Sequence, residues 1–131
     1  MKQGNIFLKY SASHEWFRPI DGAIGISNHA KNQLGEVVYI ELPEIGDIYE
    51  KGTSFGSIES VKAASDCYLP ISGEIIEVNT ILRDSPDVIN EKGAAEEIGW
   101  FVKIKPSNLN EIDLLLDNKD YKELCINEKE H

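Results

Sequence analysis

The chain has 131 residues, 41% of them hydrophobic, which suits one compact domain with a single core and leaves little room for a second. It holds 23 acidic and 13 basic residues, and the formal net charge of −10 would repel a phosphate backbone, which argues against nucleic-acid binding. No apolar run approaches the length of a membrane span, so we expect no membrane association.

The N-terminal segment and the two cysteines bear on the compartment. Residues 1–10 contain only Lys2 and Lys9 as charged residues and match neither a secretory nor a mitochondrial presequence. Cys67 and Cys125 have no Cys or His at metal-ligand spacing, and two cysteines do not make a disulfide framework. We therefore expect no metal site and a reducing compartment, either the cytoplasm of a bacterium or the mitochondrial matrix after removal of a presequence.

The first elements in chain order are a β-hairpin and a short helix. Residues 15–20 and 23–27 predict two strands joined by an Asp-Gly turn. Ser27 or Asn28 can cap the following helix, because their side chains accept hydrogen bonds from the first backbone N–H groups. The helix is predicted to run to Leu34 and to end at the glycine that follows.

Short strands separated by turn signals are predicted for the middle of the chain. They cover residues 36–42, 53–60, 64–69, 74–78 and 100–105. Strands of this length at this spacing are typical of an all-β sandwich or barrel. The last strand alternates Val102 and Ile104 against Phe101 and two lysines, which predicts one buried face and one exposed face.

A Gly-Glu pair followed by two β-branched residues occurs twice, at residues 35–38 and 73–76. Each copy opens a predicted strand, although Gly-Glu before β-branched residues is also a common strand entry. The repeat suggests two similar β units with an exposed turn at Val61-Lys62 between them.

The C-terminal segment predicts a helix. Asn108 with Glu111 three residues later resembles a capping box, and leucine or isoleucine recurs at helical spacing from residue 109 to residue 116. The pattern continues less regularly to residue 126. We predict one amphipathic helix within residues 107–127.

One lysine among small residues stands at the central turn, in the run Glu59-Ser60-Val61-Lys62-Ala63. A turn lysine is ordinarily only a solvated ammonium group. This run, however, closely resembles the lipoylation motif of the glycine cleavage H-protein family, and the resemblance covers roughly residues 8–125. The further matching segments are Ser13-His14-Glu15-Trp16, Gly25-Ile26, His29-Ala30, Leu34-Gly35-Glu36-Val37-Val38, Glu41-Leu42-Pro43, Glu77-Val78-Asn79, Asp84-Ser85-Pro86, Gly99-Trp100 and Lys103-Ile104-Lys105-Pro106.

The resemblance implies a mainly β fold, a flattened barrel-sandwich hybrid of two sheets with a lipoyl hairpin, one short internal helix and a C-terminal amphipathic helix. It implies a single lipoyl-carrier domain over residues 1–131, with an N-terminal extension at 1–8, a barrel-sandwich core over about 9–106 and a helical segment at 107–127. The chain would be a monomeric carrier and not an enzyme, since a shuttle that visits several partners needs modest, transient interfaces.

For function, the resemblance implies lipoic acid in amide linkage to Lys62, attached by a lipoate ligase or by lipoyl synthase machinery. Glu59, Ser60, Val61 and Ala63 complete the lipoyl motif. The carrier would take an aminomethyl group from a pyridoxal-phosphate glycine decarboxylase to a tetrahydrofolate-dependent aminomethyltransferase. It would then pass electrons to a flavin dihydrolipoamide dehydrogenase.

The resemblance also implies a polar surface cleft that shelters the loaded arm from hydrolysis. Ser13, Glu15, His29 and Asp66 match the residues used there. Spacing alone would make the first three a turn hydroxyl, a surface carboxylate and a helix-surface imidazole. Cys67, beside Asp66, is expected to be a small buried apolar group rather than a nucleophile, because nothing basic adjoins it in the sequence.

Two segments depart from the family pattern. Segment 17–24 is shorter than usual by about two residues, an even change that preserves side-chain facing, and Pro19 within it suits an edge position. In segment 91–99, this chain lacks the Pro-Tyr and Gly-Glu-Gly residues that are more usual in the family. The conformation of neither segment can be transferred from the family, and neither change touches Lys62.

Three other functions stay open. A biotin carrier also displays a lysine on a β-hairpin, but that lysine usually follows methionine, and Val61 precedes Lys62 here. A lipoyl-relay or regulatory relative of the family could retain the same motif. An enzyme would need a nucleophile and a base, for which only Cys67 and His29 are conceivable, with no oxyanion or metal signature beside them.

Overall fold

The structure is a computed structural model that describes residues 7–129. Its strands are β1 (Lys9–Tyr10), β2 (Glu15–Arg18), β3 (Ala23–Ile26), β4 (Val37–Glu41), β5 (Ile48–Tyr49), β6 (Ser54–Ser60), β7 (Ala64–Tyr68), β8 (Gly73–Val78) and β9 (Val102–Pro106). Its α-helices are α1 (Asn28–Leu34), α2 (Thr80–Asp84) and α3 (Asn118–Lys129), and its 3₁₀ helices are Pro86–Asn90, Ala94–Glu96 and Leu109–Leu114. Not one of these helices has the length and apolar composition needed to cross a bilayer.

The strands form two antiparallel sheets. The larger sheet has the order β1-β2-β3-β9-β8-β5, and the smaller has the order β4-β6-β7. The main core lies between them, where Phe17 and Ile24 of the larger sheet and Ile40 and Ile58 of the smaller are almost fully buried. Burial of such side chains contributes about 1.5–3 kcal/mol each. The prediction of a mainly β fold of two sheets is confirmed.

Strand β2 is buried on both of its faces, because helix α3 covers the outer face of the larger sheet. Side chains alternate across a strand, so Glu15 and Phe17 point to one face and Trp16 to the other. The Trp16 indole joins a second cluster with Tyr10 and Tyr121, whose rings stack 4.2 Å apart. Glu15 is thereby placed on the inner face, toward the smaller sheet.

The predicted local signals around α1 are confirmed. Ser27, not Asn28, caps the helix, since its hydroxyl accepts a hydrogen bond from the backbone N–H of Ala30 at 3.0 Å. Gly35 ends the helix with φ +84°, a conformation that favours glycine. The expectation of only one short internal helix is wrong, because α2 and two 3₁₀ helices lie between β8 and β9, each too short for periodicity to reveal.

The C-terminal segment differs from the single helix predicted from residue 107. Its first turns are 3₁₀ and end at Leu114, and Leu116 then exchanges two backbone hydrogen bonds with Tyr10, at 2.8 and 2.7 Å. The α-helix begins only at Asn118. Only half of the predicted capping box forms. The Asn108 side chain caps the 3₁₀ helix by accepting a hydrogen bond from the backbone N–H of Asn110 at 3.1 Å. The carboxylate of Glu111 instead accepts hydrogen bonds from the backbone N–H and the hydroxyl of Ser72.

Strand β9 begins later than predicted, and this changes the position of Phe101. The Phe101 side chain is fully buried in the main core, on the side that the alternation assigned to solvent. Its backbone N–H donates to the carbonyl of Ile24 at 2.7 Å before the regular strand starts at Val102. From Val102 onward, the predicted alternation holds.

Candidate functional site

Lys62 lies at the exposed tip of the hairpin formed by β6 and β7. The strands pair up to Glu59 and Ala64, and Ser60 closes the tip. The Ser60 hydroxyl accepts hydrogen bonds from the backbone N–H groups of Lys62 at 3.2 Å and Ala63 at 3.1 Å. One short polar side chain therefore sets the conformation of the turn that presents the lysine.

The tip is also tied to the segment between α1 and β4. The backbone N–H of Val61 donates to the carbonyl of Glu36 at 2.9 Å. A Cβ atom added to Gly35 would lie 3.5 Å from Cε of Lys62, so the lysine side chain runs past this glycine. The ammonium group of Lys62 is thus exposed on a backbone that is held at several points, an arrangement suited to acylation by another protein.

A cleft of about 210 Å³ opens beside the hairpin, between β2, α1 and β7. Its lining includes Ser13, Glu15 and Asp66, which the sequence had assigned to a shelter for the arm. Gln33 also lines it, a residue that the sequence analysis missed. No motif in the sequence marks Gln33, which lies on α1 beside two other lining residues, Ala30 and Leu34. The floor is apolar, with the buried side chain of Ile58 among its residues.

Glu15 is the buried acid of the cleft, with only 3% of its surface exposed. Its carboxylate accepts hydrogen bonds from the hydroxyls of Ser11 and Ser13 and from the backbone N–H of Tyr68 at 3.0 Å. Burial raises the pKa of Glu15 above its ordinary value, although these donors lower it. The carboxylate is therefore held in place and able to accept a further donor from the cleft.

The structure places His29 outside this cleft. It lines a separate cavity of about 430 Å³ with Tyr10, Tyr121 and Cys125. The His14 ring lines the cleft and lies 5.0 Å from the His29 ring, so the two spaces are close neighbours. His29 is therefore a neighbour of His14, a lining residue of the cleft, and is not part of the lining itself.

The two cysteines have different surroundings. Cys67 is 1% exposed, and burial raises its pKa, so the prediction of a small buried group is confirmed. Cys125 is half-buried on α3, and the fold brings it near His14 and His29 despite their separation in the sequence. We expected no metal ligands because neither cysteine has a Cys or His nearby in the sequence. Sequence spacing does not reveal residues that only the fold brings together.

Comparisons with known proteins agree with this geometry. A family model described as glycine cleavage H-protein matches residues 8–128. The mitochondrial glycine cleavage system H protein of Flaveria trinervia is 50% identical over 123 residues, which cover 92% of this chain and 73% of that protein. The glycine cleavage system H protein of Acinetobacter baylyi is 49% identical over 117 residues, 87% of this chain and 92% of that one.

A solved structure is similar to the whole sandwich. The crystal structure of a glycine cleavage system H protein from Mycobacterium marinum superposes with a TM-score of 0.79 at 34% sequence identity. The match covers 88% of this chain and 94% of that chain. The expected barrel-sandwich architecture is confirmed by this likeness.

Proposed function

The chain belongs to the glycine cleavage H-protein family, whose members serve as lipoyl-bearing shuttles of the glycine cleavage system, and we propose that Lys62 carries the lipoyl group here. The observation that carries the proposal is the exposed Lys62 on a turn held by Ser60, next to a cleft with a buried carboxylate. The chain itself, on this proposal, catalyses none of the steps.

The residues around Lys62 fit a lipoyl group. The side chain is exposed, and Gly35 leaves the space beside its methylenes open. Acylation turns the ammonium into a neutral amide, so that the arm can leave water without burying a charge. A lysyl chain with a lipoyl group reaches on the order of 14 Å by ordinary bond geometry, enough to enter the active-site cleft of a partner.

When bound, the lipoyl group supplies a disulfide that accepts two electrons and a thiol that holds a one-carbon fragment. The partners that we propose are the pyridoxal-phosphate glycine decarboxylase, the tetrahydrofolate-dependent aminomethyltransferase, the dihydrolipoamide dehydrogenase and the enzyme that attaches lipoate. Such partners place the chain in a bacterial cytoplasm or a mitochondrial matrix, and bacterial and plant mitochondrial proteins both occur among its relatives.

We propose that this cleft shelters the loaded arm. Glu15 offers a carboxylate on its wall, and the hydroxyl of Ser13 donates to that carboxylate and holds its orientation. Asp66 adds a second carboxylate, on strand β7 of the lysine hairpin. An amine at the end of the arm would bind these acceptors, and the apolar floor would limit its contact with water. His29 would act as a positioning residue, through the His14 ring.

Peptide mass spectrometry after coexpression with lipoate-attaching enzymes tests the proposal. The expected result is one lipoyl group per chain, on the peptide that contains Lys62. Lipoate on another lysine, or biotin on Lys62, would contradict it. Reconstitution with the other glycine cleavage proteins then separates a shuttle from a lipoyl-relay or regulatory protein, which would be lipoylated but would not support glycine turnover.

A further inference from the structure

Three side chains of the kind that bind transition metals converge at the junction of α3 with the sandwich. His14 comes from the turn before β2, His29 from α1 and Cys125 from α3. One ligand atom from each lies within 4.8 Å of the other two, and all three side chains are half-buried. Glu128, one turn after Cys125, brings a carboxylate oxygen to 3.1 Å from Nε2 of His14 and 3.9 Å from Nε2 of His29.

The hydrogen bonds of Tyr121 orient His14 for binding. The Tyr121 hydroxyl donates to Oγ of Ser27 at 2.6 Å, so the same oxygen accepts the proton of Nδ1 of His14, also at 2.6 Å. Nε2 of His14, the other ring nitrogen, faces the Glu128 carboxylate at 3.1 Å. Metal-binding histidines commonly have their second nitrogen held in this way.

The backbone at His14 adds a separate observation. His14 has φ +78°, the one positive value among the non-glycine residues that the structure describes. Side chains other than glycine adopt this conformation at a cost, and such strain is found most often at functional sites. Here it turns the imidazole toward α3 while Ser13 and Glu15 on either side line the cleft.

From these observations we propose a Zn²⁺ site formed by His14, His29 and Cys125. Glu128, whose carboxylate stands near the two histidines, would move in as the fourth ligand. Two imidazoles, a thiolate and a carboxylate are a donor set that Zn²⁺ binds in a tetrahedron, with bonds of about 2.0–2.3 Å. Donors around such an ion stand about 3.5 Å apart, so binding draws the donor atoms of His14, His29 and Cys125 together by about 1 Å. The Cys125 thiol releases its proton to solvent as the Zn–S bond forms.

The site joins three separate segments of the chain. Helix α3 contributes Cys125 and Glu128, whereas His14 and His29 belong to the sandwich. An ion bound to all four would lock the helix against the larger sheet and would hold the cleft wall through His14. We therefore expect Zn²⁺ to stabilise the folded chain and to stabilise it most where α3 meets the sheet.

Cobalt and zinc titrations of the full-length Lys62→Arg chain test the site. This background has no arm thiols, so the result does not depend on the proposed function. Bound Co²⁺ should show thiolate-to-metal charge-transfer absorption that disappears in Cys125→Ser and persists in the matched control Cys67→Ala. Zn²⁺ affinity, measured against a competing chelator, should fall at least tenfold in Cys125→Ser and His29→Gln, and about tenfold in Tyr121→Phe.

Circular dichroism confirms that each variant is folded before titration, and His29→Gln serves as a second ligand variant if Cys125→Ser does not fold. A rise in the unfolding temperature with Zn²⁺ that is absent in the ligand variants supports the site. The proposal is overturned if the folded chain shows no charge-transfer absorption with Co²⁺. It is equally overturned if Cys125→Ser and His29→Gln bind Zn²⁺ as tightly as the parent chain.

Discussion

The carboxylate of Glu15 accepts a hydrogen bond from the backbone N–H of Tyr68 at 3.0 Å, and this contact joins the two sheets at the cleft. Glu15 opens a strand of the larger sheet, and Tyr68 ends a strand of the smaller one. Glu15 therefore both links the two sheets and supplies one of the two carboxylates that line the cleft. A substitution that removes the charge but keeps the acceptor can separate these two roles.

Glu15→Gln should speed loss of the aminomethyl group from the loaded chain by at least tenfold. The amide oxygen can still accept from the Tyr68 N–H, but the charge is lost, and a hydrogen bond to a charged group is worth about 1.5–3 kcal/mol. The rate of hydrolysis of the loaded protein measures the effect. His29→Ala is the comparison, and we expect a smaller increase from it because His29 lies outside the cleft. If both variants hydrolysed at the parent rate, neither residue would shelter the arm.

Lys62→Arg should leave the free energy of unfolding within about 0.5 kcal/mol of the parent, because an exposed turn side chain makes few native contacts. Glycine cleavage reconstituted with the other components should nevertheless stop. Arginine keeps the charge, but its guanidinium group is not acylated in place of the lysine amine. Turnover of glycine by the variant would show that the carrier residue lies elsewhere.

Ser60→Ala should destabilise the chain by about 1 kcal/mol and slow attachment of lipoate, because the N–H groups of Lys62 and Ala63 lose their acceptor. Denaturant unfolding gives the first quantity, and the initial rate with a lipoate-attaching enzyme gives the second. Ser54→Ala is the control on the same strand, since its exposed hydroxyl bonds only the nearby carbonyl of Gly56. If both variants were lipoylated at the parent rate, Ser60 would not position the lysine.

Gly22→Ala should destabilise the chain by about 2 kcal/mol. Gly22 has φ +80°, and a Cβ atom there would collide with the carbonyl oxygen of Ile104 in the neighbouring strand. Gly52→Ala is the matched control, because Gly52 has φ +85° but no atom within 4 Å of the added Cβ, so only the backbone strain of about 1 kcal/mol applies. Chemical denaturation of both variants separates the cost of the collision from that of the backbone strain. Equal losses of unfolding free energy would show that the collision with Ile104 does not occur.

Local signals in the sequence predicted most of the fold. The Ser27 cap and the Gly35 terminator of α1 depend on contacts a few residues long, which the sequence displays directly. The prediction of one continuous C-terminal helix was wrong because Leu116 pairs with Tyr10 at the other end of the chain. Helical periodicity carries no information about such a distant partner. The prediction that Phe101 faces solvent was wrong for the same reason, since a hydrogen bond to Ile24 on another strand decides where the strand after Phe101 begins.

The sequence by itself determined the family, the two-sheet architecture and the candidate lysine. A continuous motif and turn signals involve residues that are neighbours in the sequence, so they can be recognised without the fold. Only the tertiary structure decided which polar residues share a cleft, separating His29 from Glu15 and adding Gln33. It alone also brought Cys125 to His14 and His29. The physical reason is that these neighbours come from segments far apart in the chain, and their meeting depends on how α1 and α3 pack against the sheets.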